Sequence, residues 1–236
     1  MEHSQDMTES SKNDLSSKYF SNTAYRYDKR RENTDKWKKE NQIIDQYIRH
    51  FSQKTRVLDS PIGTGRFMPL YKKYKFSVTG LDISQDMIDI ARAKADKAGL
   101  EIEFKNTSLF ETDIEDNAYD VVLCIRFLNW VDKKNALLIA QELARLSSRN
   151  IIFSLRTRVP ISQLLVQGFN GILIILRQAF RHFIKTPNDK GLVFHSHDLI
   201  CEICKKNSLA IEQSEQVEMR KDGTAYVIYN LKKADV

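Results

Sequence analysis

The sequence predicts an α/β fold in which a doubly wound, mostly parallel seven-stranded sheet ends in an antiparallel strand. Short apolar runs alternate with segments of helical periodicity, which is typical of parallel strands joined by helices. The first run breaks directly into a glycine turn within 57–65. Near the other end, the runs 210–217 and 224–231 flank a Lys-Asp-Gly turn at 221–223. This pattern predicts a final hairpin, and therefore an antiparallel last strand.

Five strands and their connecting helices precede that hairpin. The predicted strands are 57–59, 78–83, 101–105, 119–124 and 150–155, and the predicted helices include 33–51, 84–99 and 133–147. Ser84 is a predicted N-cap and Gly99 a predicted C-terminal stop, because a hydroxyl satisfies free N–H groups and glycine adopts the left-handed conformation. Ser196 is predicted to cap a further helix.

The glycine turn and a distal acid predict a nucleotide-binding edge. Gly63 and Gly65 allow a ligand to approach the backbone closely, and the N–H groups that follow them favour an anionic group. Asp82 ends the second strand, where a carboxylate can accept hydrogen bonds from a ribose diol. A dinucleotide fingerprint would need a third glycine, and Met68 stands in its place. A pyrophosphate cradle is therefore the poorer interpretation.

These residues resemble the first motif of the class I S-adenosylmethionine-dependent methyltransferases, D/E-x-G-x-G-x-G. Asp59, Gly63 and Gly65 match it, whereas Pro61 stands at the first glycine and supplies no backbone N–H. The stretch Asp82-Ile83-Ser84-x-x-Met87 is similar to the second motif, D-x-S-x-x-M. The resemblance implies a Rossmann-like fold with a helical cap.

The resemblance also implies a cofactor, S-adenosyl-L-methionine, and a role for each matched residue. Asp59 would lie by the methionine end and Asp82 would hold the ribose, while Ile83 and Met87 would sandwich the adenine. Family members commonly carry Gly-Asp after the third strand, where this chain has Thr107 and Ser108, so an adenine contact there would come from the Ser108 hydroxyl or from the backbone. The expected cofactor-binding residues are Asp59, Gly63, Gly65, Asp82, Ile83, Met87 and Ser108.

The acceptor side is predicted where the fourth strand ends. Arg126, Asn129 and Trp130 follow that strand, and ligands of open α/β sheets bind at the carboxyl ends of strands. Tyr27 lies in an aromatic segment similar to one that folds over the cofactor in the family; packing of a helix against the body is an equal alternative. The expected substrate residues are Tyr27, Arg126, Asn129 and Trp130. The catalytic group is left unassigned, with Arg126, Asn129 and His195 as candidates.

The expected organisation is a disordered leader at 1–18 and a single methyltransferase domain at 19–236. That domain would contain an N-terminal helical segment at 19–52 and an inserted helix at 160–190. Apolar residues form a wide face over 161–184, which polar residues interrupt, so a membrane span is excluded. A lid over the substrate or a homodimer face is favoured over contact with a membrane surface.

Composition restricts the setting. The 236 residues carry a net charge of +6, and three cysteines do not make a disulfide framework, which indicates a reduced, cytoplasmic environment. The residue pattern His197, Cys201 and Cys204 lacks a fourth ligand, so no metal is predicted. No transmembrane run or signal core is present in the sequence.

The predicted function is S-adenosylmethionine-dependent methyl transfer to an oxygen, nitrogen or carbon nucleophile of a small or amphiphilic biosynthetic intermediate. Basic segments leave an RNA methyltransferase as an alternative, although an RNA-binding module is missing and nucleic acid is not an expected partner. The departures at Pro61 and Thr107-Ser108 leave a second alternative, a non-catalytic binding protein with a degenerate methyltransferase fold.

Overall fold

The computed structural model describes residues 34–110, 112–159, 172 and 192–234. The first helix, α1, is Asp35–Ile48. The elements that follow, in chain order, are β1 (Arg56–Asp59), α2 (Met68–Tyr74), β2 (Ser77–Asp82), α3 (Gln85–Ala98), β3 (Ile102–Asn106), β4 (Tyr119–Cys124), a 3-10 turn (Leu128–Trp130), α4 (Lys133–Leu146), β5 (Ser147–Arg158), α5 (Asp198–Lys206), β6 (Leu209–Met219) and β7 (Thr224–Lys233).

The strands form one seven-stranded sheet in the order β3-β2-β1-β4-β5-β7-β6. Strands β1 to β5 pair in parallel, whereas β7 is antiparallel to both of its neighbours. The predicted fold class is therefore confirmed, including the antiparallel last strand. Strand order reverses between β1 and β4, and in α/β sheets ligands bind at such a reversal.

Helices cover both faces of the sheet, as the doubly wound prediction requires. Neighbouring strand residues point to opposite faces. Val57 and Leu58, for example, belong to different buried clusters, one packed under α1, α2 and α3 and the other under α4 and α5. This two-sided burial explains why a central strand such as β4 is a nearly continuous apolar run, whereas the edge strand β3 is not.

Two capping predictions are confirmed and one is wrong. The Ser84 hydroxyl accepts a hydrogen bond from the Met87 N–H, and Gly99 ends α3 in the left-handed conformation. Ser196 does not cap α5, because the residue that precedes this helix is His197 and its side chain makes no capping hydrogen bond. Strand β5 is also longer than predicted, because its residues beyond Leu155 pair with β7.

Several predictions fall outside the described residues. These are the leader at 1–18, the aromatic segment with Tyr27, and almost all of the inserted helix at 160–190. Lid, dimer face and membrane contact for 161–184 stay predictions. Within the part of the chain that the structure describes, every helix is too short or too polar to cross a bilayer.

Candidate active site

A cleft opens at the edge of the sheet where β1, β2 and β4 end. It spans about 870 Å³, including space that is open to solvent. Its wall combines carboxylates, guanidinium groups and aromatic rings, contributed by Trp37, Asp59, Pro61, Ile62, Gly63, Thr64, Arg66, Phe67, Asp82, Ile83, Met87, Ile125, Arg126, Phe127 and Trp130. A smaller recess of about 420 Å³ adjoins it. The residues that line both are Pro61, Asp82, Ile83 and Phe127. Cleft and recess therefore form one depression at the strand-order reversal.

The glycine turn after β1 forms the floor of this cleft. Its backbone is tied to both neighbouring strands, because Ser60 N–H donates to the Leu123 carbonyl at 2.9 Å and Ile62 N–H to the Leu81 carbonyl at 2.8 Å. Gly63 and Gly65 have φ values of 55° and 75°. A Cβ on Gly65 would come within 2.2 Å of Met68 Cε. Gly65 is thus required both for its backbone conformation and for the close approach of Met68.

Asp82 joins this turn to the start of α3. Its Oδ2 accepts from Gly63 N–H at 2.8 Å, and its Oδ1 accepts from Ser84 N–H at 2.9 Å. Burial raises the pKa of the Asp82 carboxyl, and the backbone donors counteract part of that rise. Each oxygen still has a lone pair that can accept from a ligand. The carboxylate is consequently held in a fixed orientation at the rim of the cleft.

Asp59 lies deeper and is almost completely buried. The Tyr71 hydroxyl donates to its Oδ2 at 2.7 Å. Burial raises the pKa of Asp59 to about 7, the charge of Asp82 adds to that rise, and the Tyr71 hydrogen bond and the charge of Arg66 oppose it. Asp59 therefore changes its charge near neutral pH, at the floor of the cleft.

This titration gives a prediction for the variant Tyr71→Phe. The folded protein holds the Asp59 proton more tightly than the unfolded chain, so stability is expected to fall as pH rises from about 4 to about 7 and to level off above the folded pKa. Losing the hydroxyl removes a hydrogen bond to the charged form, so the variant should keep losing stability to a higher pH. Urea unfolding from pH 5 to pH 9 measures this.

Tyr74→Phe provides the matched control. Tyr74 is on the same helix, and its hydroxyl donates to Asp45 at 2.8 Å on the outer side. The pKa of Asp45 is lowered, first of all by its hydrogen bond with Lys73, so this carboxyl titrates below the measured range. Identical pH profiles for the two variants would contradict the assignment of the titration to Asp59.

The recess beside the cleft has an apolar and hydroxyl-bearing wall. Ile83 is 40% exposed there, which is unusual for an isoleucine that follows a central strand, whereas Met87 is buried. Asn106 fixes the Ile83 backbone by donating to its carbonyl at 3.0 Å. Thr107 and Ser108 contribute to the same wall. The Ser108 Oγ accepts from Phe110 N–H at 3.3 Å, so this hydroxyl stays able to donate.

Arg126 and Trp130 line the cleft on the opposite side, after β4. Arg126 has a left-handed backbone with φ of 66°, and its N–H donates to Ser154 Oγ at 2.7 Å. The carboxylate of Glu40 holds the Arg126 guanidinium, which donates through Nε at 3.0 Å and through Nη2. The predicted pair Arg126 and Trp130 thus shares one wall.

Glu40, on α1, supports the wall of the cleft, and the sequence-based predictions missed it. Its side chain is fully buried and pairs with both Arg66 and Arg126. Burial alone would raise the pKa of Glu40, but the two guanidinium groups outweigh it and hold the pKa below its ordinary value. The sequence carries a signal for this residue, because Glu40 lies three residues after Trp37 and three before Ile43, within the buried stripe of α1. A carboxylate inside an apolar stripe predicts a charged partner.

Asn129 and His195 do not line the cleft. The Asn129 Oδ1 accepts from Arg156 N–H at 2.6 Å, and its carbonyl accepts from Val193 N–H at 2.8 Å. His195 Nε2 donates to the Leu128 carbonyl at 2.8 Å. Both side chains are buried: the Asn129 amide fastens the 3-10 turn to β5, and the His195 ring fastens the segment before α5 to that turn. Their contacts are structural, and neither is aligned with Arg126 toward the cleft.

The cysteines and histidine near α5 also lie apart from the cleft. The chain contains three free thiols: Cys124 is buried, Cys201 is exposed and Cys204 is partly exposed. Across the described ranges, His, Cys, Asp and Glu side chains form no group of three that could hold a metal ion.

Comparison with known proteins assigns a class to this fold and cleft. Residues 57–150 match the model of a family described as a methyltransferase domain. The fold, the motifs and this match identify residues 57–150 as part of a class I S-adenosylmethionine-dependent methyltransferase domain, so the resemblance predicted from the sequence is confirmed. S-adenosylmethionine is the cofactor of this family.

Individual relatives show how far the similarity extends. A phosphatidylethanolamine N-methyltransferase of Cereibacter sphaeroides is 34% identical over 92 residues, which are 38% of this chain and 44% of the relative. A ubiquinone biosynthesis O-methyltransferase of Bordetella avium (strain 197N) is 28% identical over 138 residues, 56% of this chain and 57% of the relative. The chain thus spans about half the length of these curated relatives.

A solved structure extends the similarity of the fold to nearly the whole chain. The magnesium protoporphyrin IX methyltransferase of Synechocystis PCC 6803, with bound SAH, superposes with a TM-score of 0.71 at 18% identity. The alignment covers 94% of this chain and 100% of that one. At this identity the likeness concerns the fold.

The residues of the cleft fit the cofactor of the family. Asp82 presents two fixed oxygens at the rim, and the turn at Gly63 has open space where a side chain would stand, with no atom within 4 Å. The exposed face of Ile83 beside the recess offers an apolar surface that a planar base would cover. Pro61 lacks the backbone N–H that a glycine would supply, but none of the contacts of Asp82, Gly63 and Ile83 described here uses that N–H.

Proposed function

We propose that the protein transfers a methyl group from S-adenosylmethionine to an oxygen, nitrogen or carbon atom of a small or amphiphilic acceptor. The observation that carries the proposal is the clamp on Asp82, which fixes a carboxylate between the glycine turn and α3 beside an open cleft. The relatives support such an acceptor, since their names refer to a phospholipid and to ubiquinone biosynthesis. The cytoplasmic setting also stays a proposal, based on the three cysteines of the sequence.

We assign cofactor binding to the side of the cleft formed by Asp59, the glycine turn and Asp82. Asp82 would accept hydrogen bonds from both ribose hydroxyls, and Asp59 in its charged form would attract the cationic methionine end. Ile83 and Met87 would flank the adenine, and the Ser108 hydroxyl would donate to it. The left-handed Gly63 and Gly65 would leave room for the chain that joins ribose and methionine. On the substrate side, Arg126 and Trp130 stay proposals, as does Tyr27, which lies outside the described residues.

The chemistry needs alignment more than it needs a strong base. When bound, the cofactor supplies a methyl group on a sulfonium, an electrophile with a neutral leaving group. Residues of this chain would align the acceptor nucleophile with that methyl group and exclude water from it. The aromatic wall of Phe127 and Trp130 would do both, by stacking against the acceptor and by excluding solvent.

Calorimetric titration of the purified protein with S-adenosylhomocysteine tests the proposal. We expect one site with micromolar affinity, measured at pH 8, where Asp59 is charged. A folded protein that gives no heat at millimolar ligand would contradict the proposal and favour the non-catalytic alternative. RNA binding with a steep dependence on salt would instead favour the nucleic-acid alternative.

A further inference from the structure

Charged groups in the cleft are separated by sign. The two carboxylates, Asp59 and Asp82, lie at the ends of β1 and β2, while the two guanidinium groups, Arg66 and Arg126, lie on the wall toward α1 and β4. The acidic half suits a cationic cofactor. The basic half lies beside the part of the cleft that a cofactor bound at the acidic half would leave open for the acceptor.

Among the described residues, the charged groups of this basic half are two guanidinium groups and one carboxylate. The Glu40 Oε1 accepts from Arg126 Nε, and its Oε2 accepts from both Arg126 Nη2 and Arg66 Nη1. One carboxylate thus serves two guanidinium groups. Pairing by Glu40 therefore leaves this trio with one net positive charge.

The two arginines differ in their access to the cleft. Arg66 also donates to Asn41 Oδ1 at 3.1 Å and to the Trp37 carbonyl at 2.8 Å, and only 9% of its side chain is exposed. The side chain of Arg126 is 20% exposed. Arg66 therefore supports the wall, and Arg126 carries the charge that a ligand can reach.

A second group of charges beside the trio has the same sign. Lys36 pairs with Glu218 at 2.8 Å, and Arg156 lies 3.8 Å from the same carboxylate. Both cations lie over the ring of Tyr226, 4.4 and 5.1 Å from its centroid. Two cations and one carboxylate add a further positive charge to the count over residues 34–159 and 192–234, and the two groups together favour an anion.

The aromatic residues around Arg126 indicate what kind of molecule bears this anionic group. Its guanidinium carbon lies 5.5 Å from the centroid of the Trp37 ring. The cleft beside it is lined by Phe67, Phe127 and Trp130. Aromatic walls bind planar or apolar groups, and a guanidinium fork matches the geometry of a carboxylate or phosphate.

We propose that the acceptor bears an anionic group, a carboxylate or a phosphate, on a planar or apolar body, and that Arg126 binds this group. The proposal rests on the proposed function, because it concerns the acceptor of the same site. A neutral or cationic analogue would lack the negative charge that this basic wall attracts, and the enzyme would discriminate against it.

Tryptophan fluorescence provides the measurement. The chain has two tryptophans, Trp37 and Trp130, and both line the cleft. With S-adenosylhomocysteine at saturation, we would titrate matched probes that differ in charge: 3,4-dihydroxybenzoate against 3,4-dihydroxybenzamide, and phenyl phosphate against diethyl phenyl phosphate. We expect an anionic member to bind about 10-fold or more tightly than its neutral partner, and its advantage to shrink between 20 and 500 mM salt.

Three variants assign the effect to Arg126. Arg126→Gln should abolish the preference for the anion, while Arg126→Lys should keep a preference but bind more weakly, because a point charge replaces the fork. Arg56→Gln is the control, since this arginine pairs with Asp120 at the opposite end of β1 and should leave the preference unchanged. Circular dichroism checks that each variant is folded.

The possible outcomes are distinguishable. Equal binding of both members of each pair by the wild type would overturn the inference and leave the cofactor assignment intact. A preference that survives in a folded Arg126→Gln variant would also overturn it. If S-adenosylhomocysteine itself does not bind, the proposed function fails first. The carboxylate and phosphate pairs decide which anion the site prefers.

Discussion

Asp82→Ala is expected to weaken the binding of S-adenosylhomocysteine by about 100-fold or more. Two hydrogen bonds from the ribose to a charged acceptor contribute roughly 1.5 to 3 kcal/mol each, and about 1.4 kcal/mol corresponds to a factor of ten. The variant also releases Gly63 N–H and Ser84 N–H, so the turn loses its connection to α3. Calorimetry measures the loss.

Two further variants complete this experiment: Asp82→Asn tests the charge of the side chain, and Asp89→Ala is the control. The asparagine keeps the shape, but its NH₂ group would face one of the two backbone donors, so we expect a similar loss of affinity. Asp89 is exposed on α3, where it accepts from Gln85, and its removal changes the charge by the same amount. The assignment of Asp82 to the ribose fails if the folded Asp82→Ala protein binds as tightly as the Asp89 control.

Glu40→Gln is expected to lower the free energy of unfolding by about 3 to 5 kcal/mol. This is the usual cost of removing one partner of a buried ion pair, because the remaining charge loses its compensation. Here two guanidinium groups would remain at the wall of the cleft with an uncharged amide between them. Urea denaturation monitored by circular dichroism measures the change.

Asp45→Asn is the matched control on the same helix. Asp45 pairs with Lys73 at 2.8 Å near the surface, and exposed pairs of this kind contribute less than about 1 kcal/mol. A Glu40 variant as stable as the Asp45 variant would show that the two arginines do not depend on the buried carboxylate.

The fold could be predicted from the sequence because its signals are local. The apolar runs give the parallel strands, the turn at 221–223 gives the hairpin, and Ser84 and Gly99 bound α3. Each signal lies within a few residues of the structure that it specifies. The location of Asp59, the glycine turn and Asp82 on one side of the cleft could be predicted too, because each follows the end of a strand; their role in cofactor binding stays a proposal.

The side chains on the opposite side of the cleft, after β4, were harder to predict because their orientation depends on partners that are distant in the sequence. Arg126, Asn129 and Trp130 look equivalent in sequence, but the Asn129 amide is used by the backbone of Arg156, 27 positions away. Arg126 is held by Glu40, 86 positions away. The ring of His195 is likewise hydrogen-bonded to the Leu128 carbonyl. Only the folded chain determines which polar groups are used up internally.

The left-handed backbone of Arg126 has a consequence for the evolution of the protein. A side chain at φ of 66° costs conformational energy that glycine would not incur, on the order of 1 kcal/mol or more. Glycine here would relieve that strain, but it would leave Glu40 with one guanidinium partner in place of two. Because a lost partner of a buried charge costs more than the strain, arginine is expected to persist under selection for stability as well as under selection for activity.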